Sequence, residues 1–178
     1  MHKWIQGERL RLRPITLQDT DKIIFWRNQS FVRENFIFQK SFTEEIHHQW
    51  FHTMIETGKA IQYIITRKDN EEEIGSVYFR DIDDIHRKAE FGIFVGDRKS
   101  LHQGFGTEAC WLACRHGFEA YGWHKIFLRV FATNIFAIRS YQRAGFLIEA
   151  FLKDDVCIHG KFRDIVLMGI INTQNSCA

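Results

Sequence analysis

The stretch Leu101-His102-Gln103-Gly104-Phe105-Gly106-Thr107-Glu108-Ala109 places two glycines one residue apart, just ahead of a segment with helical patterning. Glycine lets a backbone turn sharply and approach an anion closely. The first amides of a helix present unsatisfied N–H groups with the helix dipole behind them. A pyrophosphate suits such a place, and a plain helix-entry turn explains the same two glycines. The stretch is not a Rossmann fingerprint, because the third glycine is missing and the strands before it read as antiparallel. It is not a P-loop either, because the GK[ST] ending is absent.

Other clusters offer less. His48 and His52 stand four apart, as do Cys110 and Cys114, but neither pair has partner ligands at a zinc-site spacing, so no metal is expected. Asp81, Asp83 and Asp84 suit a cation or a polyamine, or a solvated turn. The four cysteines, Cys177 and Cys157 included, contain no CxxC pair and read as reduced thiols. Arg9, Arg11 and Arg13 alternate with leucines as the solvated face of an edge strand does. With 24 basic and 22 acidic residues interspersed and a net charge of +2, nucleic-acid binding is not expected. Met1 to Leu10 carries no apolar leader, and no apolar run is long enough to cross a bilayer. No membrane association and a cytoplasmic location are the expectation.

The elements that must position these residues are legible in the periodicity. A chain of 178 residues, 45% hydrophobic and with one proline, fits a single domain spanning 1–178. Arg9 to Pro14 alternates as a strand. Thr16 and Asp19 make a capping box that starts a helix with Ile23, Ile24 and Trp26 inward, and Ser41 and Glu44 make a second one ahead of Ile46, Trp50 and Met54. Ile61 to Ile65, Ile74 to Arg80 and Lys88 to Val95 read as a meander with turns at Lys68 to Asn70 and Asp81 to Asp84. Thr107 to Tyr121 is helical and stops at Gly122. A strand over Ile126 to Val130, a short helix over Ile135 to Ala144, and strands over Phe146 to Phe151 and Arg163 to Ile171 complete the order βααβββαβαββ. This predicts an α/β (α+β) architecture, a mixed sheet of about seven strands with helices on both faces.

Set in this order, Gly104-Phe105-Gly106-Thr107-Glu108-Ala109 resembles the acetyl-CoA loop of GNAT acetyltransferases, [RQ]xxGx[GA]. Asn134, Ala137-Ile138, Tyr141 and Ala144-Gly145-Phe146 resemble the N…AI…Y…GF segment of the same family. Trp26-Arg27-Asn28, Ala89-Glu90-Phe91, Gly160, Phe162 and Asp164 are similar to the RimJ/RimL-like branch, which holds ribosomal-protein, spermidine and PseH-type amino-sugar acetyltransferases. The likeness runs from about Glu8 to Ile171. Leu101 departs from it, standing where the family has Arg or Gln, with His102, Gln103 or Lys99 as partial substitutes for the lost phosphate contact.

The resemblance implies a GNAT fold and acetyl transfer from acetyl-CoA, the one cosubstrate, onto an amine by direct attack in a ternary complex, without metal. It implies that His102, Gln103, Gly104, Phe105, Gly106 and Thr107 hold the pyrophosphate. Phe94, Val95 and Gly96 would offer strand backbone to the pantetheine arm. Asn134 would cap its helix or bond coenzyme A. Tyr141 falls at the family's proton-donating tyrosine. Glu90 matches the base of histone-type enzymes, and apolar Phe91 beside it predicts a raised pKa; the other reading is an ion pair with Arg87 or Lys88.

For the acceptor, Arg27, Asn28, Phe36 and Phe38 are the candidate contacts. The apolar lip from Phe31 to Phe42 favours a peptide N-terminus or an amino sugar over spermidine, and a GNAT-like domain that binds acyl-CoA without catalysis is the further alternative. The chain is expected to act on a small-molecule or peptide amine as a monomer or homodimer.

Overall fold

The computed structural model describes residues 4–173, so Cys177 lies outside the described residues. Ile5–Gln6 (β1) pairs antiparallel with Leu10–Pro14 (β2), whose Leu10 and Leu12 are fully buried. A 3₁₀ turn, Leu17–Asp19, leads into Thr20–Asn28 (α1), and the Asp19 carboxylate accepts the Thr16 N–H at 2.8 Å, as a capping box requires. Ser30–Arg33 (α2) is a single turn. Glu44–Trp50 (α3) is capped by Thr43 rather than by the predicted Ser41: the Thr43 hydroxyl accepts the Ile46 N–H at 3.3 Å. The next turn, Phe51–Ile55, is wound as a π-helix.

Ile61–Arg67 (β3), Glu73–Asp83 (β4) and Lys88–Val95 (β5) form the expected antiparallel meander. Phe105–Tyr121 (α4) then crosses the sheet to Lys125–Phe131 (β6), which runs parallel to β5. Ile135–Arg143 (α5) and the hairpin of Leu147–Ile158 (β7) and Lys161–Ile171 (β8) follow. One sheet of eight strands results, in the order β1-β2-β3-β4-β5-β6-β8-β7. The strand beyond the expected seven is β1, two residues long and too short to leave a period. Strand β7 continues past Phe151 to Ile158, and its residues alternate poorly because most of them are exposed.

Alternation along β3 shows why helices cover both faces. Ile64 and Ile65 are both fully buried, yet consecutive strand residues point oppositely. Ile65 joins a core with Leu10, Val77 and Phe79 beneath Ala109, Leu112 and Ala113 of α4 and Ile138 of α5. Ile64 joins a second core with Ile23, Trp26, Val32, Phe51 and Phe94 on the side of α1 to α3.

The sheet is not continuous along its length. Strands β5 and β6 pair only from Lys88 to Glu90 against Lys125 to Phe127. Beyond that, β5 stays with β4 as far as Val95, while β6 stays with β8 as far as Phe131. A split opens between two parallel strands, and each is followed by a helix whose N-terminus stands at the split. Crevices at the carboxyl ends of parallel strands, where the connections diverge, are where such sheets bind ligands.

Candidate active site

Gly104 is the N-cap of α4 with φ of +82°, a left-handed conformation in which a side chain is strained. The loop ahead of it is anchored from β2. The Arg9 guanidinium donates to the Gln103 carbonyl at 3.0 Å and lies 4.7 Å over the Phe105 ring, while the Glu108 carboxylate accepts the main-chain N–H groups of Arg9 and Leu10 at 2.8 and 3.1 Å. These contacts tie the loop and the first turn of α4 to β2. Gln103 turns its own carboxamide back to the Lys99 carbonyl at 2.5 Å, so it does not present that group to an anion as expected. His102 takes a left-handed φ of 61°, with its ring 5.5 Å from that of the exposed Phe136.

Gly106 has an ordinary φ, and a Cβ built there would meet nothing closer than Val95 Cγ2 at 3.9 Å and Ser140 Oγ at 4.0 Å. Neither backbone strain nor packing within the chain calls for glycine, and the open side faces the end of β5 and α5. Such a space fits a coenzyme backbone laid against the first turn of α4. Thr107 ties the two helices together, its hydroxyl 2.8 Å from that of Ser140. Asn134 caps α5 by accepting the Ala137 N–H at 3.1 Å, and its amide donates to Asn35 at 2.7 Å, which joins α5 to the segment from Phe31 to Phe42.

Phe94 and Val95 lie on the β5 edge that β6 leaves at the split. Gly96 differs: its N–H donates to the Ile74 carbonyl at 2.8 Å and its carbonyl accepts from Gln29 at 2.6 Å. A Cβ there would lie 2.1 Å from the Trp26 ring, so close packing explains this glycine.

Glu90 is buried at the last β5–β6 pair, 3% exposed, and its partners are Arg80 of β4 and Arg129 of β6, each donating Nε at 2.9 Å. The expected raised pKa is corrected here. Burial alone pushes the carboxyl up, but the hydrogen bonds and charges of Arg129 and Arg80 outweigh it and hold the carboxyl below the ordinary range. Tyr141 of α5 is half-buried with its ring edge-on to Phe91 at 6.4 Å, and desolvation pushes its phenol well above the usual value.

Arg27 is buried, with its guanidinium 3.2 Å from the centre of the Phe36 ring and 5.9 Å from that of Phe94. Asn28 is occupied with the lip itself, donating to the Phe42 carbonyl and accepting its N–H, both at 2.8 Å. Phe38 is exposed. Arg80, Arg129 and Tyr78 were not found from the sequence; strand alternation places Arg80 and Tyr78 on one face, but only tertiary pairing brings Arg129 to Glu90. Among the described residues no cluster of three metal-ligating side chains forms, and His48 and His52 lie beside Glu44 and Glu56 on the surface of their helix.

The split thus brings the glycine turn at the start of α4 and Tyr141 of α5 to one end of β5. The chain belongs to the acetyltransferase (GNAT) domain family, whose profile matches residues 9–147. It is 33% identical over 103 residues to the spermidine N(1)-acetyltransferase of Escherichia coli K12, covering 58% of this chain and 55% of that protein. The chain thus spans about half the length of that curated relative. An uncharacterized N-acetyltransferase of Bacillus subtilis is 27% identical over 173 residues, 96% of this chain and 97% of that one. The crystal structure of Vibrio cholerae spermidine N-acetyltransferase in complex with CoA and spermine superposes with a TM-score of 0.85 at 24% identity, over 93% of this chain and 96% of that one, a likeness of fold.

Proposed function

We propose that the chain transfers an acetyl group from acetyl-CoA to a primary amine by direct attack in a ternary complex. The observation that carries this reading is the β5–β6 split with Gly104, Gly106 and Tyr141 around it. Acetyl-CoA supplies the thioester. The backbone of Gly104 to Thr107 receives its pyrophosphate at the start of α4, and the free edge of Phe94 and Val95 receives its arm. The new C–N bond forms as the C–S bond breaks, and the leaving sulfur takes the proton of Tyr141, a phenol that desolvation keeps protonated. A carboxylate clamped by two guanidiniums binds a proton weakly. Glu90 is therefore assigned to holding Arg80 and Arg129; one proton of the incoming ammonium leaves to water before the attack, and the second, shed by the acetylated nitrogen, restores the Tyr141 phenol.

On the acceptor, the relatives that carry a substrate in their names are spermidine acetyltransferases, which supports a polyamine over the peptide N-terminus or amino sugar suggested by the lip. A second reading, an amine that also bears an anionic group, is favoured by Arg27. Release of free thiol from acetyl-CoA, measured across a broad panel of amines, tests the reaction. Coenzyme binding without turnover of any amine would make this a non-catalytic acyl-CoA-binding domain.

A further inference from the structure

We infer that the acceptor carries a carboxylate or phosphate close to its amine and that Arg27 is the residue that reads it. This rests on the amine-acetylation reading and decides between its two acceptors. Arg27, in the last turn of α1, is 8% exposed, and its Nη1 is buried with no hydrogen-bond partner among the described residues. Among those residues no carboxylate forms an ion pair with it. Its surroundings are the rings of Phe36, Phe42 and Phe94, at 3.2, 5.0 and 5.9 Å from the guanidinium carbon. Aromatic faces attract a cation but leave its in-plane N–H donors unmade. A buried guanidinium in this state costs the free protein stability that only an acceptor of hydrogen bonds restores.

The charges nearby sharpen the point. The groups that bear on Arg27 are the Tyr78 phenol and Arg80, a second cation; burial and Arg80 both press its pKa down, to about 10. Arg80 in turn shares the single carboxylate of Glu90 with Arg129, and Asp81 is the other acid bordering them. Three guanidiniums against two carboxylates leave a positive excess, which repels a polycation and attracts an anion. The box also stands in the right place, because Phe94 belongs to the β5 edge at the split.

Matched amines measured at constant salt test this: glucosamine 6-phosphate against glucosamine, 4-aminobutyrate against butylamine, a nucleotide-linked amino sugar against the free sugar, and spermidine. The anionic members are expected to have kcat/KM higher by about 10- to 100-fold, the range that one charge-assisted hydrogen bond supplies. Arg27→Met keeps an apolar stem against Phe36 and brings that ratio close to one. Thermal melting at saturating CoA provides an independent arm, in which inorganic phosphate raises the melting temperature of the parent and not of Arg27→Met. Spermidine surpassing every anionic amine, an unchanged ratio in Arg27→Met, or weakened CoA binding as the sole effect of that substitution would each overturn the inference. If no amine is acetylated, the acetyl-transfer reading falls, and the phosphate-dependent melting alone decides for or against an anion at Arg27.

Discussion

Gly104 and Gly106 look alike in the sequence and are glycine for different reasons. At Gly104 the backbone is left-handed, so Gly104→Val strains the fold whatever it does to a ligand. At Gly106 a methyl group meets nothing within 3.8 Å or so of ordinary contact, the nearest atom being 3.9 Å away. The resembled pattern allows Ala at this position, so the test is a larger side chain: Gly106→Val is expected to leave the melting temperature nearly unchanged while weakening coenzyme binding at least about tenfold. Calorimetry with CoA beside a melting curve reads both, and full affinity in this variant would release the loop from the coenzyme. Tyr141→Phe removes a proton and keeps the ring packed on Phe91. Its kcat is expected to fall by roughly 10²–10⁴-fold with KM for acetyl-CoA nearly unchanged, and activity within twofold of the parent would make Tyr141 a packing residue only.

Strands β4, β5 and β6 are joined at the start of the split by one carboxylate, Glu90, bridged to Arg80 and Arg129. Removing it leaves two guanidiniums facing each other, so Glu90→Gln is expected to cost about 3–5 kcal/mol of stability, read by chemical denaturation. A base would behave otherwise: the loss of rate would shrink as pH rises, whereas the clamp predicts a ratio of parent to variant rates that is flat with pH.

The strands and helices around this clamp were legible in the sequence where their residues alternate or recur with the burial they meet, as Leu10 and Leu12 do, whereas Ile64 and Ile65 of β3 are buried on both faces and leave no alternation. The glycine turn at the start of α4 was legible because glycine spacing is local. The partners of Glu90 were not, because the register that brings Arg129 of β6 to Glu90 of β5 spans 39 residues. Arg27 was visible as a residue and not as an unpaired cation, since its aromatic box is assembled from α1, the lip and β5.

Across the whole molecule, acid acts on the fold through buried histidines before it reaches the carboxylates. The layer of α1 to α3 contains His47, fully buried, with Nδ1 3.0 Å from the Thr20 hydroxyl and Nε2 without a partner among the described residues. Burial, helped by neighbouring His48 and only partly opposed by Asp19, pushes its pKa down to about 4. The unfolded chain takes up this proton near pH 6.5 and the folded one does not, so the unfolded state binds more protons in between. The contribution is complete above about pH 6.5 and is lost as pH falls toward 4, amounting to about 3 kcal/mol at about 1.4 kcal/mol per pH unit. His116, also pushed down by burial, adds in the same direction. Glu90 and Asp19, held low by their arginines, act in a lower window, contributing above the ordinary carboxylate range of about 4 and losing stability as pH falls below it. Denaturation midpoints between pH 7 and pH 4 should therefore decline well before the carboxylates titrate. In His47→Leu the upper part of that decline should flatten by more than half, and a slope equal to the parent's would move the acid sensitivity away from the layer that carries Arg27 and the lip.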